Sequence, residues 1–269
     1  MVPTRETAPH VPLTVDEVLR DVEACRTLGI SIVHVHARDG EGAPSQRPED
    51  FAPIVEGIRR IDPELIVCVT CSGRVNPSLD ARAAVLDLTG DAKPDMASLT
   101  LGSNNFLRQA SVNAPDVIRG LAERMRERGI APELEVFEPG MMAFAAHLAE
   151  RGLLHPPHYA NILLGNPGTA PLAPGIVAAC LSVAPPETTW ALAGIGRFQI
   201  DAALLAVATG GHVRVGLEDN LWLDRARTRP ATNAELVERV ARAAELAERP
   251  LSTPAQTRQR LGLPQRVAP

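Results

Sequence analysis

Two histidines, His34 and His36, close the apolar segment SIVHVHAR at residues 31–38. In a β-strand, residues i and i+2 point to the same side, so both imidazoles are expected to face one way. Two convergent imidazoles suit a divalent transition metal, most simply zinc. The alternative, for either histidine taken alone, is an ordinary core or surface residue.

The segment HVRVGLED at residues 212–219 offers a third ligand. As a strand, it would place four residues on one side of a sheet: His212, Arg214, Gly216 and Glu218. In a closed barrel, Glu218 would then meet His34 and His36 across the mouth, and two histidines with one glutamate are a common catalytic zinc set. Asp219 at the turn and Arg214 would supply a base and its charge partner. Taken alone, these two could equally form a surface ion pair.

Lysine is almost absent from this chain. Lys93 is the single lysine among 27 basic residues, so an enzyme that forms a lysine Schiff base would have one candidate. Lys93 precedes an apolar segment instead of following one. Because the chemistry of a β/α barrel takes place where the strands end, we expect Lys93 to lie on the opposite face, and a Schiff-base mechanism is disfavoured.

The pair Cys68 and Cys71 has the spacing of half a zinc knuckle. A separation of three residues places the two thiols on opposite faces of a strand, and the sequence has no second pair. We therefore expect both to be ordinary core cysteines.

Apolar β-rich segments alternate with helical patterns along most of the chain. Strands are predicted at 31–38, 65–72, 96–101, 133–138, 159–165, 189–196 and 212–219, and helices at 48–60, 114–128, 140–152, 199–209 and 234–248. A further helix starts at the capping box of Thr14 and Glu17. This alternation predicts one domain over residues 1–269 with an α/β fold, a (β/α)8 TIM-type barrel. Only seven strands are predicted, because the proline-rich residues 1–13 do not have a strand pattern.

Composition excludes several classes of protein. The net charge of −5 argues against a general nucleic-acid-binding surface, and no apolar run has the length of a membrane-spanning helix. The first residues lack the pattern of a secretion signal, and four cysteines do not make a disulfide framework. We therefore expect a cytoplasmic protein that acts on small molecules, without nucleic-acid or membrane partners.

These motifs, in this order, resemble the 3-keto-5-aminohexanoate cleavage enzymes, also called β-keto acid cleavage enzymes. The resemblance covers nearly the whole chain and is most specific in HVHARD and GGHVRVGLEDN, supported by VTCSG, MASLTLGSNNF, PELEVFEPGM and WALAGIGRFQI. It implies a zinc-dependent barrel in which a β-keto acid and acetyl-CoA are converted to acetoacetate and a new acyl-CoA. It also implies a homo-oligomer, most often a tetramer.

The resemblance assigns roles residue by residue. His34, His36 and Glu218 match the zinc ligands, in agreement with the choice made from spacing. Asp219 matches the general base, Arg214 its supporting cation, and Thr70 a position where some members have a catalytic serine. Two further positions match residues near the substrate: Ser103 in GSNNF and Glu138 in EVFEPG.

The sequence departs from the family pattern at its amino end. Members begin with a short apolar strand ending in Thr-Gly or Asn-Gly, and this chain is expected to start just after that strand. The missing strand would lie beside the metal ligands, and our hypothesis is a start codon assigned too far downstream.

Two other interpretations stay open at this point. One is a barrel without its first strand that is inactive and serves only as a binding or oligomer-forming subunit. The other is a different metal-dependent barrel, a hydrolase or a metal-dependent aldolase. A hydrolase of the amidohydrolase type would need inward histidines on its middle strands, and the segments 133–138 and 159–165 offer none.

Overall fold

The computed structural model describes residues 3–106 and 109–266. Within these ranges seven parallel strands form one sheet, and each strand pairs with the one that follows it in the chain. The strands are β1 (Ile32–Val35), β2 (Ile66–Val69), β3 (Met96–Thr100), β4 (Ala131–Val136), β5 (His158–Leu164), β6 (Thr188–Gly194) and β7 (His212–Val213). Parallel neighbours joined by crossovers are the arrangement of a β/α barrel, so the predicted fold class is confirmed.

Helices connect the strands and cover the outer face of the sheet. They are α1 (Val15–Arg26), α2 (Pro48–Ile61), α3 (Leu79–Ala83), α4 (Pro115–Arg128), α5 (Pro139–Glu150), α6 (Pro174–Ser182), α7 (Gln199–Thr209), α8 (Asn233–Leu246) and α9 (Pro254–Arg260). The capping box predicted at Thr14 and Glu17 is present at the start of α1. Across the described ranges, no helix is both long and apolar enough to cross a membrane.

Alternation along the strands separates two apolar layers. On β2, Val67 and Val69 point outward and pack in the large core between the sheet and the helices. Ile66 and Cys68 point inward, where they meet residues of β3, β5 and β6 and the two leucines that follow α9, Leu261 and Leu263. The interior of the curved sheet is therefore apolar at its amino end, where these leucines close it.

The edges of the sheet face each other without pairing. Among the described residues, no strand joins β1 to β7, and a cavity of about 550 Å³ lies along these two edges. Helices α1 and α8 flank the cavity through apolar side chains such as Val22 and Val240. The barrel thus has seven strands in the part of the chain described, as the sequence predicts.

The last predicted strand is shorter in the structure. The expected strand 212–219 ends at Val213, although the backbone N–H of Arg214 still donates to the carbonyl of Leu192 on β6. Beyond it the chain turns, because the N–H groups of Asp219 and Asn220 both donate to the carbonyl of Gly216. Because of this turn, the side chains that follow Gly216 do not alternate between the two faces as they would in a strand.

A buried ionic cluster closes the amino end of the barrel. Asp95, just before β3, accepts hydrogen bonds from Arg258 of α9 at 3.0 and 3.1 Å and also pairs with Arg59 of α2. The side chain of Arg258 is fully buried, and it also donates to the carbonyls of Glu64 and Leu65. One carboxylate therefore ties α9 and α2 to the start of the sheet. The pKa of Asp95 is lowered, since its hydrogen bonds from Arg258 and the charge of Arg59 outweigh the opposing effect of burial.

Replacing Asp95 by asparagine is expected to reduce the free energy of unfolding by about 3–5 kcal/mol at pH 7, because two buried guanidinium groups lose their counter-charge. A carboxyl with a lowered pKa in the folded state stabilises the fold above its unfolded pKa of about 3.9, and this contribution disappears as the pH falls through the lower folded value. Denaturant unfolding of both proteins should therefore show a constant difference above about pH 5 that shrinks below pH 4.

The matched control is Asp80→Asn, which removes an exposed aspartate paired with Arg124. This change should alter the free energy of unfolding by less than about 1 kcal/mol. An Asp95→Asn protein as stable as the wild type at pH 7 would contradict the assigned role of the cluster.

Candidate metal and substrate site

Charged side chains replace the apolar ones at the carboxyl end of the barrel interior. His34 on β1, Glu133 and Glu135 on β4, Asn161 on β5 and Arg214 after β7 all belong to this end. The parallel register places them at neighbouring levels of the sheet. This is the end at which β/α barrels carry their chemistry.

The three predicted metal ligands converge at the mouth of the cavity. His34 Nε2 lies 3.3 Å from His36 Nε2, and His36 Nε2 lies 3.0 Å from Glu218 Oε1. The second carboxylate oxygen of Glu218 lies 3.9 Å from His34 Nε2. The spacing in the sequence therefore identified a real spatial cluster from opposite edges of the sheet.

Glu133 fixes the orientation of His34. Its Oε2 atom lies 2.6 Å from His34 Nδ1, so the ring nitrogen that faces away from the cavity has a carboxylate partner. A proton on Nδ1 leaves the lone pair of Nε2 directed at the other ligands. Burial lowers the pKa of His34, but the charge of Glu133 outweighs it and the net pKa is raised. His34 and Arg214 in turn hold the pKa of Glu133 at about 2, against the effect of burial.

Arg214 stands among four carboxylates. Its Nη2 donates to Glu218 Oε2 at 2.7 Å and its Nε to Asp219 Oδ2 at 3.1 Å. Its Nη1 lies 3.4 Å from Glu135 Oε1 and 3.7 Å from Glu133 Oε1. Despite burial, the surrounding carboxylates, led by Asp219, raise the pKa of Arg214 well above its ordinary value. A permanently charged guanidinium thus holds the candidate base and the candidate metal ligand together.

The turn after β7 explains how two successive residues reach the same guanidinium. In an extended strand, Glu218 and Asp219 would point to opposite sides, and Asp219 would leave the interior. The turn that begins at Gly216 brings both carboxylates to Arg214 and buries Asp219 to 4% exposure. His212, which strand alternation placed beside Glu218, instead approaches Arg260 and takes no part in the cluster.

Thr70 also lines the cavity, at the end of β2. Its backbone N–H continues the ladder by donating to the carbonyl of Val35, and its Oγ1 accepts a hydrogen bond from the N–H of Ser72 at 3.1 Å. The predicted hydroxyl is therefore placed on the same cavity as the metal cluster.

Two predicted substrate-binding residues lie apart from this cavity. Ser103 is exposed, and its Oγ accepts a hydrogen bond from the backbone N–H of Asn113 at 2.8 Å. Glu138 is exposed at the start of α5. Neither is among the described residues that line the cavity, so their assignment to substrate binding stays a prediction.

Four residues of the site were not predicted as functional from the sequence. They are Arg74, Glu133, Glu135 and Asn161. Glu133 and Glu135 are two residues apart in a predicted strand and therefore share one face, which is the signal that could have indicated them. Arg74 lies in a loop, where no periodicity indicates direction.

A second cluster shares His34 but is a poorer metal site. His34, Cys68 and Glu133 also approach one another, with Cys68 Sγ 3.3 Å from Glu133 Oε2. Burial and the charge of Glu133 raise the pKa of Cys68 well above its ordinary value, so its thiol stays protonated and is a weak ligand. His34 and Glu133 of this cluster line the cavity, whereas Cys68 does not.

The residues at the mouth fit a divalent metal. Two nitrogens bound to tetrahedral zinc at about 2.0–2.1 Å are separated by about 3.3 Å, which is the distance between the two histidine nitrogens. Burial lowers the pKa of His36, which favours the neutral form that binds metals. In formal charge, Glu133, Glu135, Glu218 and Asp219 exceed Arg74 and Arg214 by two, the charge of one such ion.

Comparison with known proteins identifies the family. A family model described as beta-keto acid cleavage enzyme matches residues 1–263. The chain belongs to the β-keto acid cleavage enzyme family. This confirms the resemblance found in the sequence motifs.

Curated relatives are similar over nearly the whole chain. A 3-keto-5-aminohexanoate cleavage enzyme of Fusobacterium nucleatum is 37% identical and covers 97% of this chain and 93% of its own length. A 3-oxoadipate:acetyl-CoA acetyltransferase of Cupriavidus necator is 36% identical over 98% of this chain and 92% of its own. These two relatives are named for different substrates at nearly equal identity to this chain, so overall identity does not select the substrate.

Solved structures support the fold. The apo structure of ObcA superposes with a TM-score of 0.80, at 22% identity over 95% of this chain and 66% of that chain. A type I 3-dehydroquinate dehydratase from Clostridium difficile, at 8% identity, gives a TM-score of 0.54 over 89% of this chain and 90% of that one.

The four cysteines should resist thiol reagents in the folded protein. All are buried and unpaired, and burial raises the pKa of Cys25 and Cys71 to about 12 and that of Cys180 to about 11. Titration with a chromogenic disulfide at pH 8 should label less than about one thiol per chain in buffer and all of them in denaturant. Rapid labelling of Cys68 or Cys71 in the native protein, located by peptide mass spectrometry, would show that they are not the core residues described.

Proposed function

We propose that this protein is a zinc-dependent enzyme that exchanges acyl groups between a β-keto acid and acetyl-CoA, giving acetoacetate and a new acyl-CoA. The observation that carries the proposal is the meeting of His34, His36 and Glu218 with Asp219 and Arg214 in one cavity. The names of the curated relatives, which include acetyl-CoA transferases acting on β-keto acids, support the same reaction class.

The proposed reaction balances without an added oxidant or reductant. The β-keto acid R–CO–CH₂–COO⁻ loses a proton from C2, and the C2 carbanion attacks the thioester carbonyl of acetyl-CoA. A carbon–carbon bond forms to the acetyl group, and the bond from the acetyl carbon to the CoA sulfur breaks. The CoA thiolate then bonds to the R–CO carbon as the original C2–C3 bond breaks. The proton returns to C2, so the products are acetoacetate and R–CO–CoA.

Asp219 is the proposed base for removal of the C2 proton. Its carboxylate is buried, so a bound substrate would meet it away from bulk water. The hydrogen bond from Arg214 Nε to Oδ2 fixes the carboxylate and leaves the second oxygen to receive the proton. Because Arg214 also holds Glu218, the base and the metal ligand keep a fixed relation to each other.

His34, His36 and Glu218 would hold the zinc ion. When bound, the ion supplies a Lewis acid that polarises the ketone and stabilises the enolate charge. Glu133 contributes by holding His34 through Nδ1, and Thr70 offers a hydroxyl to the same cavity. The single lysine, Lys93, lies before β3 beside Gly129, at the other end of the barrel, so the mechanism makes no use of a Schiff base.

Zinc content tests the metal site. The purified wild type should hold about one zinc per chain, and Glu218→Ala and His36→Ala should hold almost none, since each removes a ligand. Two matched controls, Cys68→Ser and His212→Ala, should retain the metal, because these side chains lie outside the ligand set. Loss of zinc in Cys68→Ser with retention in Glu218→Ala would instead place the ion in the deeper cluster.

Activity of Asp219→Asn tests the proposed base. With a β-keto acid and acetyl-CoA, kcat should fall by about 10²- to 10⁴-fold, the usual contribution of a positioned base, while zinc content stays the same. The measurement is chromatographic detection of acetoacetate and the new acyl-CoA. The control is Asp201→Asn, which removes an aspartate paired with Arg225 at the surface and should leave kcat unchanged.

A zinc-loaded wild type that converts no β-keto acid in the presence of acetyl-CoA would overturn the proposed function. Retained activity in Asp219→Asn would instead assign the base to another residue.

A further inference from the structure

Arg74 lies at the mouth of the cavity, in the loop between β2 and α3. It lines the cavity, and its side chain is 15% exposed. Its Nη2 atom donates to Glu218 Oε1 at 3.2 Å, the oxygen that lies 3.0 Å from His36 Nε2. A positive group therefore stands directly beside the proposed metal ligands.

The guanidinium of Arg74 is held in place but keeps free donors. Its Nε donates to Ser72 Oγ at 3.1 Å, and its central carbon lies 5.2 Å from the ring centre of Phe106. Within the described ranges the guanidinium makes no other side-chain or backbone hydrogen bond than those to Ser72 and Glu218. Three of its five N–H groups can thus serve an anion, and a guanidinium is suited to bind a carboxylate with two of them.

The acidic side chains that line the cavity already have basic or hydrogen-bonding partners within the protein. Glu133, Glu218 and Asp219 have basic partners, as described above. Asp21, near α8, accepts a hydrogen bond from Asn233. Glu138, the residue considered for a positively charged substrate, does not line the cavity. An ammonium group on the substrate would therefore meet Arg74 without a carboxylate ready to compensate it.

We propose that Arg74 selects β-keto acids that carry a second carboxylate, so that the substrates of this protein are short 3-oxo dicarboxylic acids. The proposal rests on the proposed function above. The ketone and the first carboxylate are common to every β-keto acid and belong at the metal ligands, whereas the second carboxylate distinguishes one substrate class from another. Among the described residues, Arg74 and Arg214 both lie beside the ligands, but Arg214 contacts four carboxylates and Arg74 only one, so Arg74 is the better placed to bind an anion.

Three six-carbon substrates separate this role from the alternatives. They differ only beyond C4: 3-oxoadipate ends in a carboxylate, 3-oxohexanoate ends in a methyl group, and 5-amino-3-oxohexanoate also ends in a methyl group but carries an ammonium group on C5. For the wild type, kcat/KM with acetyl-CoA should be at least about tenfold higher for 3-oxoadipate than for either of the others, as a hydrogen-bonded charge pair would give.

Arg74→Gln should lower kcat/KM for 3-oxoadipate by about 10- to 100-fold and change it less than about threefold for 3-oxohexanoate. Arg74→Lys keeps the charge and should restore part of the preference. The matched control is Arg47→Gln. Arg47 is an ion-paired arginine of the β1–α2 connection, and its side chain is 59% exposed. This substitution should leave kcat/KM unchanged for all three substrates.

A binding measurement removes the chemical step from the comparison. Calorimetric titration of zinc-loaded protein with freshly prepared 3-oxoadipate, without acetyl-CoA, should show a Kd raised by the same 10- to 100-fold in Arg74→Gln. Zinc content is measured in parallel, since Arg74 contacts Glu218. Equal zinc in both proteins assigns the loss to the substrate contact.

The remaining results would contradict either the role of Arg74 or the proposed function. An equal loss on all three substrates would place Arg74 on the first carboxylate and refute the selection of dicarboxylic acids. A higher kcat/KM of the wild type for the amino substrate would also refute the selection of dicarboxylic acids. So would an Arg74→Gln protein whose kcat/KM for 3-oxoadipate equals that of the wild type. If the zinc-loaded wild type converts another β-keto acid but none of the three, the selection of dicarboxylic acids is refuted and the proposed function stands. If it converts no β-keto acid at all, the proposed function itself fails, and the proposal for Arg74 fails with it.

Discussion

The guanidinium of Arg214 is the group on which the rest of the site depends. It is buried, permanently charged and in contact with carboxylates from β4 and from the turn after β7. A buried cation of this kind is stable only when its counter-charges are close, so the position of each carboxylate is fixed by the same interaction. Glu218 is thereby presented to the histidines of β1 across the open side of the sheet. Asp219 is held beside it without becoming a metal ligand in this arrangement.

Buried charges are compensated differently at the two ends of the barrel. At the amino end, Asp95 is saturated by arginines and one backbone N–H, and the leucines after α9 close the interior. This cluster ties the last helix to the start of the sheet. At the carboxyl end, carboxylates exceed guanidinium groups, and the cavity stays open beside them. An excess of negative charge next to two imidazoles would be stabilised by a bound cation, whereas at the amino end the arginines outnumber the single carboxylate.

The substrate specificity of such a site resides in its loops. The ends of β1 and β7 and the residues just after them supply the candidate metal ligands, which every substrate of the proposed class would use in the same way. Arg74 comes from the connection between β2 and α3, where a change of residue alters the charge of the cavity wall and leaves the sheet intact. Relatives of nearly equal identity are named for an amino acid derivative and for a dicarboxylic acid, which is consistent with specificity set by few positions.

The sequence by itself determined the order of strands and helices, the direction of the chain through the barrel and the pair His34 and His36. Alternation and capping are local properties, and a spacing of two residues on a strand fixes a common face whatever the surroundings. The pattern of HVRVGLED put forward Glu218, Asp219 and Arg214, and the family motifs then agreed with that choice. The seven strands, the capping box at Thr14 and the position of Lys93 all follow from short-range pattern.

The tertiary structure alone decided which charges meet. A strand continued to residue 219 would have turned Asp219 outward, and the turn at Gly216 brings it to Arg214 instead. His212 lines the cavity but approaches Arg260 and stays outside the ligand cluster. Glu133 becomes the partner of His34 only because β1 and β4 curve toward each other, although 99 positions separate them in the chain. Arg74 reaches Glu218 from a loop without periodicity. Contacts of this kind depend on the closure of the sheet and on the direction of single side chains, which no local pattern in the sequence encodes.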